Sequence, residues 1–545
     1  MAELYQIALD ALAAPGGAQE VGNKAWNLML MAQAGLPVPP AFVLPTSWCG
    51  RARETELHQA LAKGIAGLEA TSGLQFGGTR KPLLVSVRSG AAISMPGMMA
   101  TVLDVGMNMV TVEALIRLTG NPRLAWDSFR RFVQGYAEIV AGLPTAPFDA
   151  LVTSAMQAAE AATEWELDHR DVKALTIAML GSYRTLTGVA FPADPHEQLA
   201  ATAEAVFRSW DSAKAASYRQ LNNISDAAGT AVTVQTMVYG NAGGTSGAGV
   251  GFTRNPSTGA RELYFDFQFN AQGEDVVAGR HKMRDNERLP LVLPAVWKQL
   301  QSTRHTLETL FHDAQDFEFT VQAGVLFLLQ TRRAMRTDWA ALAIAVDMVA
   351  EGLLTPDEGL KRLDGIDLNS IVRTSFTPPL PEALAVAQVA SMGVASGVLA
   401  LDAEAAKRFA VAGSAAILVR WETVTADIEG MALAAGILTG SGGRTSHAAV
   451  MARHMGKVCL VACPDMEIDL DGRLCRIGKH VFNEGDFLSL DGNTGAIYPG
   501  PLAPVVERPE SALVAVEAWR QAAARDRTRS PAENLEAGSF SAECS

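Results

Sequence analysis

Basic charge is in short supply in this chain. Its 545 residues carry 45 lysines and arginines against 58 acidic side chains, a net charge of −13. That balance leaves no basic surface for a nucleic acid or an anionic membrane. Cysteine is scarce as well: Cys49, Cys459, Cys463, Cys475 and Cys544 form neither a metal-ligand spacing nor a disulfide framework. Three of them fall in apolar strand-like runs, where buried thiols are expected. No uninterrupted apolar run approaches the roughly 18 residues that span a bilayer. The opening MAELYQIALDALAAPGG has an early acid and no basic segment, unlike a signal peptide. A soluble, cytoplasmic protein is expected.

What is present is apolar and long. With 48% hydrophobic residues the chain is globular, and its length suggests several domains of about 150 residues each. Residues 1 to about 340 alternate strand-like runs, glycine loops and helical stretches. Helical patterns run over 24–34, 109–142 and 150–188, and strands over 83–87, 231–238, 249–253, 262–269 and 317–329. From 341 to 389 a helical segment passes into a proline-bearing linker at Thr377–Pro381. Short strand–helix units then repeat from 390 to 502, with strands at 397–401, 416–419, 436–438 and 458–461, the pattern of a separate α/β domain. In the remainder, 503–545, one helical run (511–524) precedes a Ser/Glu/Ala tail expected to be largely disordered.

The most informative stretch is Gly436–Lys457, GILTGSGGRTSHAAVMARHMGK. A short apolar strand enters a Gly-rich turn, followed by Thr445, Ser446 and His447 and then an Ala-rich helix. That order puts His447 at or just before a helix N-terminus, where backbone N–H groups and the dipole favour an anion. A neutral imidazole there can attack phosphorus, and its phosphorylated form is stabilised by its surroundings. A phosphohistidine site is the expected use.

A second cluster lies before residue 340. Asp316 and Glu318 alternate along DFEF and share one face of a strand. Gln330 and Arg332 alternate in the same way after a glycine-containing turn. Paired as a hairpin, the two strands would put four polar groups in one cleft, suited to a polyanion and its divalent cation. Arg88 follows an apolar strand and precedes the turn Ser89–Gly90. The glycine-hinged, Met-rich loop 94–99 suggests a lid. Arg254 in FTRNP reads either as a further phosphate ligand or as a structural arginine.

These segments, together with VGNKAWNL (21–28), LLVSVRSGAAISMPGMMATVLD (83–104), FPADPHEQL (191–199), MVYGN (237–241), GFTRNPSTG (251–259) and FNAQGEDVVAG (269–279), resemble the pyruvate phosphate dikinase and phosphoenolpyruvate synthase family in family order. Departures are local: Asn23, Ala25 and Trp26 around the family lysine, Trp126 for a tyrosine, and Asp266 for a glutamate. The resemblance implies an α/β and α+β multidomain chain. It joins an ATP-grasp-like nucleotide-binding domain (1–340) to a swivelling α/β phosphohistidine domain (390–502).

It further implies ATP bound by Lys24, Arg88, Asp316, Glu318, Gln330 and Arg332, and Mg²⁺ on Asp316, Glu318 and Gln330. His447 and Arg88 are the implied catalytic groups, with Asp266, Arg254, Thr445 and Ser446 as further candidates. Thr445 matches a position that a regulatory kinase modifies in some relatives, and it also reads as a helix cap. The implied reaction phosphorylates His447 from the ATP β-phosphoryl group and releases AMP, with inorganic phosphate or water taking the γ-phosphoryl.

The family's phosphoenolpyruvate-binding barrel would need about 250 residues, far more than follow Gly500. The implied partners are therefore ATP, inorganic phosphate, a separate barrel-bearing subunit and, for assembly, further copies of the chain. Pyruvate, another small acceptor, and a non-catalytic ATP-binding or phosphocarrier role all stay open at the level of sequence.

Overall fold

The structure, a computed structural model, describes residues 4–8, 14–50, 54–93, 95, 99–221, 224–225, 228–273, 286–443 and 446–536. The side chains of Leu221, Thr425, His447 and residues 526–536 lie outside this set. The chain divides into two compact units, Met1–Gly247 with Phe319–Arg332, and Ala248–Glu318 with Arg333–Ser545. The units do not follow the block 1–340 expected as one domain, since 248–318 and 333–340 fall in the second unit while 319–332 joins the first.

The first unit is framed by a five-stranded antiparallel sheet in the order Tyr5–Ile7, Ala41–Leu44, Ala231–Thr236, Val85–Gly90, Thr101–Val105. Every residue of Ala231–Thr236 is buried, as a central strand covered on both faces must be. Phe42, Val85, Val87 and Val234 share one core with Leu57, Leu61 and Leu68 of the helix Glu54–Ser72. The helix expected over 109–142 is two helices. Met109–Thr119 ends at Gly120, whose φ of 66° only glycine adopts cheaply, and Pro122–Ile139 starts behind Asn121, whose side chain accepts from the Leu124 N–H. The run 150–188 divides likewise into Ala146–Ala158 and His169–Thr187, the second opened by an Asp168 capping box.

A four-stranded sheet takes the order Val325–Arg333, Gln315–Gln322, Gly247–Phe252, Tyr264–Phe269, and the second unit holds its Phe252, Tyr264–Phe269 and Gln315–Glu318 segments. A larger, eight-stranded sheet has four parallel central strands, Val394–Ala400, Ala416–Arg420, Gly436–Thr439 and Val458–Val461. Such strands are covered on both faces. Ala416, Leu418 and Ile437 point toward the helices carrying Ala405, Met431, Ala449 and Ala452. Ile417, Val419 and Leu438 meet Met466, Cys475 and Ile477 of a three-stranded sheet. Cys459, Cys463 and Cys475 are buried as expected, and burial pushes each thiol up to about 12. These are packing residues.

The segment after 502 departs from expectation. Pro504–Glu507 pairs antiparallel with Arg373–Phe376, and one helix spans Glu510–Glu536. Leu513, Val516 and Trp519 form the stripe of that helix that packs on Leu342, Ala345 and Leu363. The helical run was legible; the apolar surface waiting for it some 170 residues earlier was not. Residues 537–545 lie outside the described set.

Candidate active site

In the first unit three expected nucleotide-binding residues converge. Arg88 stands on the sheet strand Val85–Gly90 and is half-buried. Its Nη1 donates to the Leu329 carbonyl (3.3 Å) and its Nη2 reaches Gln330 Oε1 at 3.5 Å, the outer limit of a hydrogen bond. Lys24 is brought in by backbone contact. The helix Ala18–Gln33 is interrupted at Gly22 (φ 76°, ψ 153°), and a Cβ there would lie 2.1 Å from the Gly90 carbonyl oxygen. Asn23 N–H donates to the Ala91 carbonyl at 2.9 Å. A Cβ on Gly90 would in turn stand 4.0 Å from the Lys24 Cβ. Two segments 68 residues apart are thereby pressed backbone to backbone.

Asn27, which the sequence did not single out, ties the same helix to the Gln330 strand. Its buried Nδ2 donates to the Thr331 carbonyl at 2.8 Å, next to Arg332. Its spacing of three from Lys24 was the available signal, since such residues share a helix face. Gln198 of the FPADPHEQL motif is a clamp rather than a ligand. It accepts from Gly106 N–H and donates to the Met107 and Pro192 carbonyls. Most of the expected lid falls outside the described residues (94 and 96–98), while Met95 is buried with Trp210 and Ala215.

In the second unit the expected carboxylates share a surface. A Cβ on Gly251 would meet the Phe317 ring at 2.7 Å, so Gly251 and Phe317 face one way. By alternation Phe252, Asp316 and Glu318 face the other. Phe252 meets Tyr264 edge-on, 6.1 Å between ring centroids, which puts Tyr264 and, two residues on, Asp266 on that same face. Asp266 is fully buried and accepts from Asn286 Nδ2 at 3.3 Å. Asp316 is buried and Glu318 half-buried.

Among the described residues no three His, Cys, Asp or Glu side chains gather as a metal cage. An all-oxygen donor set of paired carboxylates that leaves positions to water and phosphate nevertheless suits Mg²⁺. In this structure Gln330, the third expected metal ligand, directs its amide oxygen at Arg88 instead.

Arg254 resolves as structural. Its guanidinium, 0% exposed, pairs with Glu308 through Nε and Nη2 (both 3.0 Å) and with Glu351 through Nη1 and Nη2 (3.1 and 2.9 Å). Burial alone would lower its pKa; the hydrogen bonds and charges of Glu308 and Glu351 outweigh this and raise it. With its donors so engaged, Arg254 is not the phosphate ligand of the alternative reading. Arg254→Met should destabilise the protein by about 3–5 kcal/mol by leaving Glu308 buried and uncompensated, and Glu308→Gln should restore part of the thermal midpoint. A weakened ATP affinity at an unchanged midpoint would return Arg254 to the phosphates.

His447 opens the helix His447–His454, placed by the loop after the central parallel strand Gly436–Thr439. Functional loops gather at this carboxyl end of parallel strands. Trp421 explains one glycine of that loop, since a Cβ on Gly440 would lie 2.4 Å from its ring. Ser446 is the helix cap, accepting from Ala449 N–H at 3.4 Å. Arg444, Thr445 and the His447 side chain lie outside the described residues.

Comparison with known proteins bears on these features directly. Residues 52–288 match the pyruvate phosphate dikinase AMP/ATP-binding domain, and residues 413–495 match the PEP-utilising enzyme mobile domain. Over 537 residues the chain is 41% identical to pyruvate, phosphate dikinase of Clostridium symbiosum, covering 96% of this chain and 61% of that protein. It is 42% identical over 495 residues to the chloroplastic enzyme of Flaveria trinervia and to pyruvate, phosphate dikinase 2 of Zea mays. Those matches cover 89% of this chain and 52% and 56% of the relatives. The chain therefore spans somewhat more than half the length of these relatives. Among the described residues no helix is long and apolar enough to cross a membrane. The mixed α/β architecture is that of an ATP-grasp-type nucleotide-binding domain and a PEP-utilising mobile domain, and the chain joins a pyruvate phosphate dikinase AMP/ATP-binding domain to a PEP-utilising enzyme mobile domain.

Proposed function

We propose that this protein takes the β-phosphoryl group of ATP onto His447 and passes it to a small acceptor, pyruvate or another molecule, held by a separate subunit. The observation that carries this is the position of His447, first in a Ser446-capped helix behind a central parallel strand. There backbone N–H groups favour the anion that forms on the imidazole.

Lys24, Arg88 and Arg332 supply positive charge to the triphosphate, and the close approach of Gly22 to Gly90 fixes the spacing of the first two. Asp316 and Glu318 would hold Mg²⁺, with Gln330 turning from Arg88 to join them. Bound there, the ion neutralises charge on the phosphate oxygens. An imidazole nitrogen of His447 attacks the β-phosphorus, and the bond to the α,β-bridging oxygen breaks. AMP departs with that oxygen, leaving pyrophosphoryl-His447. Inorganic phosphate then takes the γ-phosphoryl to give pyrophosphate, or water takes it to give phosphate, and phospho-His447 remains for the acceptor.

The test is intact-protein mass spectrometry under alkaline conditions after incubation with Mg·ATP, with and without phosphate, alongside AMP measurement. An acid-labile adduct of one or two phosphoryl groups is expected, with AMP formed in step and both abolished by chelation of the metal. A chain that binds ATP yet yields neither adduct nor AMP would be a binding or carrier protein instead.

A further inference from the structure

Arg453 lies in the last turn of the histidine helix, and although cationic it is only 2% exposed. Its Nη1 donates to the Ala390 carbonyl at 2.6 Å, and its guanidinium carbon stands 5.4 Å from the centre of the Phe252 ring. Phe252 belongs to the face of the four-stranded sheet that also carries Tyr264, Asp266, Asp316 and Glu318, as the alternation argued above requires. Burial works against the positive charge, while Tyr264, Cys459, Asp266 and Asp316 act to retain it. The helix that begins with His447 is thus held at its far end by a buried cation directed at the surface of the candidate metal carboxylates.

Two hydrogen bonds among the described residues join the same surfaces. Tyr264 OH donates to the Val389 carbonyl at 2.9 Å, and Ser257 Oγ to the Ala390 carbonyl at 3.4 Å. Both carbonyls belong to the edge strand Gln388–Ser391 of the eight-stranded sheet. Among the described residues, neither apolar core of that sheet includes Phe252 or Tyr264. A dock made from one cation and a few hydrogen bonds can release and re-form in a way that a broad apolar seam cannot.

We propose that Arg453 is a positioning residue that fixes the register in which the helix presents His447 to the nucleotide, by bridging from that helix to the Asp266–Asp316 face. This rests on His447 being the phosphoryl acceptor. Arginine suits the task better than lysine, because its planar fork can donate to the Ala390 carbonyl and still present N–H groups to carboxylates. The guanidinium also gives the dock a link to the metal site: whatever binds Asp316 changes the charge that Arg453 faces.

The experiment is single-turnover labelling by ATP labelled in its β-phosphate, across ATP concentrations, in wild type, Arg453→Met and Arg453→Lys. The methionine variant should lose about 10²-fold in the saturating rate, with the half-saturating ATP concentration within about twofold of wild type. Lysine, which keeps the charge, should lose about tenfold. A wild-type saturating rate in a folded methionine variant overturns the proposal. If that variant fails to fold, a wild-type rate in the lysine variant overturns it equally. Absence of labelling in the wild type would sink the phosphohistidine reading instead. Amide exchange across 447–454 and 250–266 then decides Arg453 without any chemistry. Faster exchange in both segments of the lysine variant supports the dock, and unchanged exchange rejects it.

Discussion

His447→Ala should abolish covalent labelling of the protein by ATP labelled in its β-phosphate, and AMP formation with it. Removing a nucleophile leaves no second group to take the phosphoryl, so a loss of order 10⁴ or more is expected. The change should be nearly silent otherwise. Position 447 is the first residue of an eight-residue helix whose cap is Ser446, and alanine is the best helix former. The thermal midpoint should therefore move little. Nucleotide binding should persist as well, because the substitution leaves Lys24, Arg88, Asp316, Glu318, Gln330 and Arg332 unchanged. The ATP dissociation constant should stay within about twofold of wild type. Labelling that survives would move the phosphohistidine elsewhere. Labelling lost together with ATP binding would show that the substitution harmed the fold rather than the chemistry.

The parts of the site that could be read from sequence were those written in consecutive residues. The strand, Gly-rich turn and helix around His447 follow one another within 436–454, and each declares itself by composition. Asp316 and Glu318 showed their shared face through strand alternation alone. Contacts between distant segments stayed hidden. Nothing near Asn27 announces Thr331, 304 residues on, and nothing near Arg254 announces Glu308 and Glu351, 54 and 97 residues on. Arg254 could thus be a phosphate ligand or an ion-pair core until its partners were seen. An arginine near a helix C-terminus has an ordinary role with the dipole, and only the burial of Arg453 reveals another. Gln198 shows the converse. It lies in a family motif, yet its bonds run to backbone groups of its own unit, so motif membership by itself did not separate clamps from ligands.

Gly22→Ala should be the most damaging small substitution in the nucleotide-binding unit. Two effects act together there. Gly22 has φ 76° and ψ 153°, a conformation that costs an L-residue about 1–3 kcal/mol. The new Cβ would also lie 2.1 Å from the Gly90 carbonyl oxygen, in backbone that cannot rotate aside as a side chain would. Overpacking of this kind adds about 1–3 kcal/mol. Relief requires the two loops to part, which stretches the Asn23–Ala91 hydrogen bond (2.9 Å) and moves Lys24 away from Arg88. A displacement of about 1 Å between groups that bind one triphosphate can cost 10²-fold in rate, so labelling of His447 should fall by about that factor along with the thermal midpoint. Gly35→Ala separates strain from clash. Gly35 has nearly the same φ, 75°, yet a Cβ there meets nothing within 4 Å. It should therefore lose about 1 kcal/mol of stability and leave the labelling rate at saturating ATP unchanged. Equal labelling by the two variants would mean that the contact between Gly22 and Gly90 does not set the spacing of Lys24 and Arg88. A selective loss in Gly22→Ala would place the grip on the triphosphate in that backbone contact, where no charge on either loop could have revealed it.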